Sequence, residues 1–165
     1  MADNIYGDGS TFYVVGTTGD DVLVALKGGT QLDGGAGRDH LNGSSGHDVL
    51  TGGKGNDFLW GGAGNDTFLW HASDLSDDNA TVDMVYDFEG AGVASGDDMI
   101  FYGFGEGSTF TTDGRGQVLP DGRGTIYKYT LYDAASGHSE TIMVTSTNGK
   151  LLTTDDFHFY SSVPV

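Results

Sequence analysis

The sequence contains no cysteine, only two prolines and only seven basic side chains, set against 24 acidic ones. Without cysteine no disulfide can staple the fold, so an exported domain of this size needs another cross-link, and a bound metal is the usual substitute. So few prolines beside 29 glycines in 165 residues exclude a collagen-like chain and a proline-rich linker. A formal charge of −17 argues against nucleic acid and anionic membranes as partners. No apolar run reaches the length of a membrane span, and Met1-Ala2-Asp3-Asn4 with its polar continuation does not read as a cleavable leader. The first coil after Met1 is poorly formed, as expected of a segment taken from a longer polypeptide.

What is present is aspartate and glycine. Only Glu89, Glu106 and Glu140 are glutamates, so nearly all of the acidic excess is aspartate. Aspartate beside glycine favours turns, and turns that present carboxylates are where hard cations bind. The two residue types are ordered by a nine-residue period. Val14, Leu23, Leu32, Leu41, Leu50, Leu59 and Phe68 form one ladder, extended backwards by Ile5. Asp21, Asp39, Asp48, Asp57 and Asp66 form a second ladder two positions earlier, with Thr30 as its one gap. The unit is G-G-x-G-x-D-x-U-x, with U a large apolar residue. It is complete in 34–42, 52–60 and 61–69, whereas 43–51 and 16–24 carry Ser44 and Thr17 at the second position.

This register resembles the RTX (repeat-in-toxin) nonapeptide family, a calcium-binding β-helix repeat. The resemblance implies an all-β fold: a parallel β-roll (a right-handed β-helix) in which six residues turn, three form a strand, and two units make one coil. In a short strand alternate side chains face opposite sides, so the U residues point inward as a thin apolar column. Units two apart then stack. Asp21, Asp39 and Asp57 should line one edge of the roll, and Asp48 and Asp66 the other, with Thr30 as the defective member.

Stacked carboxylates roughly 4.8 Å apart repel unless a cation lies between them. Calcium takes 6–8 oxygen ligands. Each turn would supply its aspartate and the peptide carbonyls of its first and third residues: Gly34 and Ala36, Gly43 and Ser45, Gly52 and Lys54, Gly61 and Ala63. Asp21/Asp39, Asp39/Asp57 and Asp48/Asp66 are expected to form good sites, Thr30/Asp48 a weak one, and Asp74, Asp77, Asp83 or Asp87 to close the C-terminal end. About four to six calcium ions would leave a net charge of about −9 to −5. Magnesium is disfavoured by its demand for a tight octahedron, and the five histidines lack the spacing of a zinc site.

Beyond Phe68 the period stops. Residues 1–15 read as a degenerate N-terminal capping turn, 16–69 as the roll and 70–165 as a C-terminal β-rich cap. Strands are predicted over 82–88, 99–102, 125–132, 141–144 and 157–160, with a hairpin loop at 133–137 and a turn at Asn148-Gly149. Residues 61–104 resemble the roll-closing segment of serralysin-type metalloproteases and of the R-modules of mannuronan C-5 epimerases, and the likeness extends over roughly 16–160. It implies a module at the end of a larger secreted bacterial protein, exported by type I machinery that reads an uncleaved C-terminal signal. The tail Tyr160-Ser161-Ser162-Val163-Pro164-Val165 is compatible with such a signal.

No H-E-x-x-H, G-x-S-x-G or phosphate-cradling loop is present, so the chain is not expected to be an enzyme by itself. The leading expectation is an extracellular, monomeric calcium-binding module that folds on binding the ion. A polysaccharide-binding module is the second, with Tyr127, Lys128, Tyr129 and Tyr132 as a candidate strip. Strong binding of acidic alginate would then need Arg38, Lys54, Arg115, Arg123, Lys128 or Lys150 gathered on one face. A cell-surface adhesin segment is the third.

Overall fold

A computed structural model describes residues 3–6, 12–76, 80–92 and 96–161, the first of these as backbone alone. Asp77 and the last four residues of the tail lie outside the described residues, as does most of the segment between the first two strands. Eight short strands build the roll: β1 (Asp3–Tyr6), β2 (Tyr13–Val15), β3 (Asp21–Val24), β4 (Gln31–Gly37), β5 (His40–Asn42), β6 (Val49–Gly55), β7 (Phe58–Trp60) and β8 (Thr67–His71). After a single 3-10 turn at Ala72–Asp74 come β9 (Val82–Phe88), β10 (Asp98–Tyr102), β11 (Thr109–Val118), β12 (Thr125–Tyr132), β13 (Ser139–Ser146) and β14 (Phe157–Tyr160). The fold is all-β.

Odd-numbered roll strands lie in one sheet and even-numbered ones in the other, so each coil contributes one strand to each face. The eight-stranded sheet runs β1-β3-β5-β7-β9-β13-β12-β11 and the six-stranded sheet β14-β10-β8-β6-β4-β2. Pairing within the roll is parallel and joins residues one coil apart: Leu23 with Leu41 and Leu41 with Leu59 on one side, Leu32 with Leu50 and Leu50 with Phe68 on the other. The register follows from the side-chain period of two, because a slip by one residue would turn every leucine out to water.

The apolar column lies between the two sheets. Leu23, Leu32, Leu41, Leu50, Leu59 and Phe68 are completely buried. Val85 and Met99 continue it into the cap, paired with Leu59 and Phe68 respectively. There the core widens into an aromatic cluster, in which Phe101 lies 5.0 Å from Phe110 and Phe110 stacks on Tyr129 at 4.7 Å. On the outer face of the eight-stranded sheet, half-buried rings ladder across strands, with Trp60 and Tyr86 stacked 4.3 Å apart and nearly parallel.

Strands at 82–88, 125–132 and 157–160 stand where the alternation places them, and those predicted at 99–102 and 141–144 are longer. β11 has no counterpart in the sequence reading. Its polar, glycine-containing sequence lacks an apolar alternation, and antiparallel pairing with β12 holds it extended. The Tyr127–Tyr132 strip is corrected by the same alternation. Tyr127 and Tyr129 are buried in the core, and only Lys128 and Tyr132 of that set face solvent.

Truncation in the column should be costly. Leu41→Ala is expected to lose about 2–5 kcal/mol in urea unfolding with calcium present, as large-to-small changes at filled sites do. Leu26→Ala, at a side chain 57% exposed, should change stability by less than about 0.5 kcal/mol.

Candidate metal centre

The parallel stacking brings the aspartates into two files, one on each edge of the roll. In Asp39, Asp48, Asp57 and Asp66 one carboxylate oxygen is used in the same way: Oδ1 accepts the backbone N–H of the equivalent residue one coil earlier. Asp39 accepts from Asp21 at 2.8 Å and Asp57 from Asp39 at 2.9 Å in the first file. Asp48 accepts from Thr30 and Asp66 from Asp48, both at 2.8 Å, in the second. At Thr30, the position of the second file that carries no carboxylate, the hydroxyl donates to the Lys27 carbonyl of its own turn.

The files continue past the repeat. Asp83 accepts from the N–H of Asp57 and Asp97 from that of Asp66, each at 2.8 Å. Asp87 lies under the last turn and accepts from the N–H groups of Gly61 and Gly62. Asp83 and Asp87 were candidates from sequence, whereas Asp97 was not. The interval grows from 18 residues to 26 for Asp83 and to 31 for Asp97, so periodicity gives no signal there.

The second oxygen, Oδ2, distinguishes the aspartates. Those of Asp39, Asp57 and Asp66 are buried and have no hydrogen-bond partner. An unpaired carboxylate oxygen away from water costs several kcal/mol or forces protonation, so each demands a counter-charge. The surroundings are oxygen-rich. A Cβ built on Gly34 would meet Asp39 Oδ2 and the Gly52 carbonyl oxygen, both at 2.6 Å. One built on Gly43 would meet Asp48 Oδ2 at 3.2 Å and collide with the Gly61 carbonyl, and one on Gly61 would meet Asp66 Oδ2 at 2.5 Å. The first glycine of a turn thus leaves a cradle that any side chain would fill.

The third-position residues stack in the same register, Ala36 on Lys54 and Ser45 on Ala63. Among the described residues no three His, Cys, Asp or Glu side chains gather around one point. A site made of one carboxylate per turn and main-chain carbonyls would not form such a group. Carboxylate and carbonyl oxygens are the hard donors that suit calcium, and the residues present fit that ion.

The electrostatics agree. Burial, reinforced by neighbouring carboxylates, pushes Asp39 and Asp66 up to about 6. Burial and Asp83 push Asp57 up to about 8, and burial pushes Asp97 up to about 7. At the end of the first file, burial and Asp83 push the Glu140 carboxyl far up, so that it is protonated at neutral pH and shares a hydrogen bond with Asp83.

A parallel roll of stacked aspartate-glycine turns with partnerless buried carboxylate oxygens has the architecture of a cation-binding repeat domain. The comparisons with known proteins agree with that class. The model of the RTX calcium-binding nonapeptide repeat matches residues 13–41 and 33–68. Residues 13–68 of this chain are RTX nonapeptide repeats, and repeats of this family bind calcium. No curated protein matches the sequence. Among solved structures, the chain is similar to the AlgE6R3 subunit from the Azotobacter vinelandii mannuronan C5-epimerase. The two are 26% identical with a TM-score of 0.50, over 95% of this chain and 78% of that one. The AlgE6R2 subunit of the same epimerase is 25% identical with a TM-score of 0.49, over 96% and 98%.

The raised carboxyl groups predict a pH dependence. Their folded values lie above the ordinary value near 4, so without metal the folded protein holds these protons more tightly than the unfolded chain. That contribution to stability is present below about pH 4 and is lost as the pH rises to about 8. In EDTA the β-content seen by circular dichroism, lowest near pH 8, should therefore rise as the pH falls towards 4, and millimolar calcium should abolish or reverse the trend. A β-content in EDTA that holds steady or falls as the pH is lowered over that interval would contradict the assignment.

Proposed function

We propose that this chain is an extracellular calcium-dependent folding module, which gains its roll structure on binding about four to six ions and so supports the export and stability of a larger secreted protein. The observation that carries the reading is the set of buried, partnerless Oδ2 atoms on Asp39, Asp57 and Asp66, stacked in register with main-chain carbonyls. The ligands in this reading are Asp21, Asp39, Asp57, Asp48 and Asp66 with the carbonyls of Gly34, Ala36, Gly43, Ser45, Gly52, Lys54, Gly61 and Ala63. Asp83 and Asp87 close the files.

The thermodynamics are those of coupled folding and binding. A one-residue-wide column cannot offset both the ordering of so many glycines and the stacking of like charges. In calcium-poor cytosol the acidic chain stays open, a form suited to type I export. Outside the cell, ligation supplies the missing folding free energy. Circular dichroism tests this directly. The protein should be largely disordered in EDTA and become β-rich in millimolar calcium, and an identical β-rich spectrum in both would sink the idea.

The likeness to an epimerase subunit over 95% of the chain favours a second reading, a module that binds a mannuronan-type polysaccharide. Lys128 and Tyr132 on the outer face of β12 would be its contacts. Calorimetry against alginate oligomers in calcium decides between the two, because a folding module without glycan affinity gives no binding heat.

A further inference from the structure

The two aspartate-bearing turns that depart from the Gly-Gly pattern carry their own substitute for the ion. In the turn led by Gly16, the Thr17 N–H donates to Asp21 Oδ2 at 2.6 Å and its hydroxyl at 2.9 Å. In the turn led by Gly43, the Ser44 N–H donates to Asp48 Oδ2 at 2.7 Å and its hydroxyl at 3.4 Å. The three Gly-Gly turns lack these bonds. Gly35, Gly53 and Gly62 take φ values of 97°, 95° and 100°, the left-handed region that side chains rarely adopt, and the Oδ2 of their aspartates has no partner. Five aspartates at equivalent positions therefore fall into two kinds, and the second residue of the turn separates them.

We propose that this second residue sets calcium affinity site by site. The Thr17 and Ser44 turns hold their carboxylates internally and bind the ion weakly, whereas the Gly-Gly turns require it and bind tightly. This rests on the calcium reading above. A cation entering beside Asp21 or Asp48 must displace hydrogen bonds to a carboxylate, and such charge-assisted bonds are strong. Beside Asp39, Asp57 and Asp66 it displaces none.

The distribution of strong sites changes accordingly. Asp39 Oδ2 and the Gly52 carbonyl of the next coil both border the space beside Gly34, while Asp57 and Asp66 belong to the last turn of each file, next to the cap. Tight binding is thus concentrated at the C-terminal end of the roll, and the N-terminal coils fill later or incompletely.

Calcium calorimetry with native mass spectrometry tests the proposal on the whole chain. The natural protein should show a tight and a weak class of sites. Thr17→Gly and Ser44→Gly should each move one equivalent from the weak class to the tight one, a gain of about tenfold or more. Thr17→Val and Ser44→Ala keep the backbone donor and remove only the hydroxyl, so they serve where a glycine variant does not fold. The threonine change should tighten its site more, because its hydroxyl is the nearer one. Isotherms of all four variants that overlay that of a calcium-binding natural protein would overturn the selector role and leave the calcium reading standing. A natural protein that takes up no calcium would overturn both.

Discussion

Except at Thr30, successive coils of the roll stack aspartate on aspartate, and the rest of the architecture has to accommodate that pairing. Two unit charges one coil apart repel by about 3–4 kcal/mol at the effective dielectric of a protein surface. Burying one leucine per half-coil returns about 1.5–3 kcal/mol. The apolar column therefore does not outweigh the carboxylate files by itself. One oxygen of Asp39, Asp48, Asp57 and Asp66 is occupied by the backbone N–H of the preceding coil. The fate of the second oxygen distinguishes a turn that stands alone from one that needs a cation.

The cap resolves the same problem at the ends of the files without a further turn. Asp83 presents its second oxygen to the buried indole N–H of Trp70 at 2.7 Å. Asp97 presents its own to the N–H of Glu89 at 2.8 Å. Both carboxylates are nearly fully buried and both are satisfied by groups from outside the repeat. The cap also protects the exposed edge that a stack of parallel strands would leave, because β9 passes the eight-stranded sheet to β13 and then to the antiparallel β12 and β11. Stabilising the file ends and covering the sheet edge are thus carried out by one segment.

Much of this was legible in the chain itself. The nine-residue ladders of leucine and aspartate specify which residues face inward, which coils stack and where the second file lacks a carboxylate, at Thr30, because a period of two within each strand leaves a single register that buries the apolar set. The cap was legible only where alternation is strong, as in β9, β12 and β14. β11 is glycine-containing and polar, and its extended form comes from its partner strand.

The sequence by itself determined the repeat, its pairing and the oxygen-donor chemistry of its turns, since these follow from local spacing and from the conformational freedom of glycine. Only the tertiary structure decided which carboxylate oxygens lack a partner, that Asp83 and Asp97 end the two files, and that Tyr127 and Tyr129 belong to the core. The file ends join groups separated by irregular intervals, and a hydrogen bond across such an interval leaves no periodic trace in the chain; the other two outcomes depend on side-chain placement that spacing does not fix.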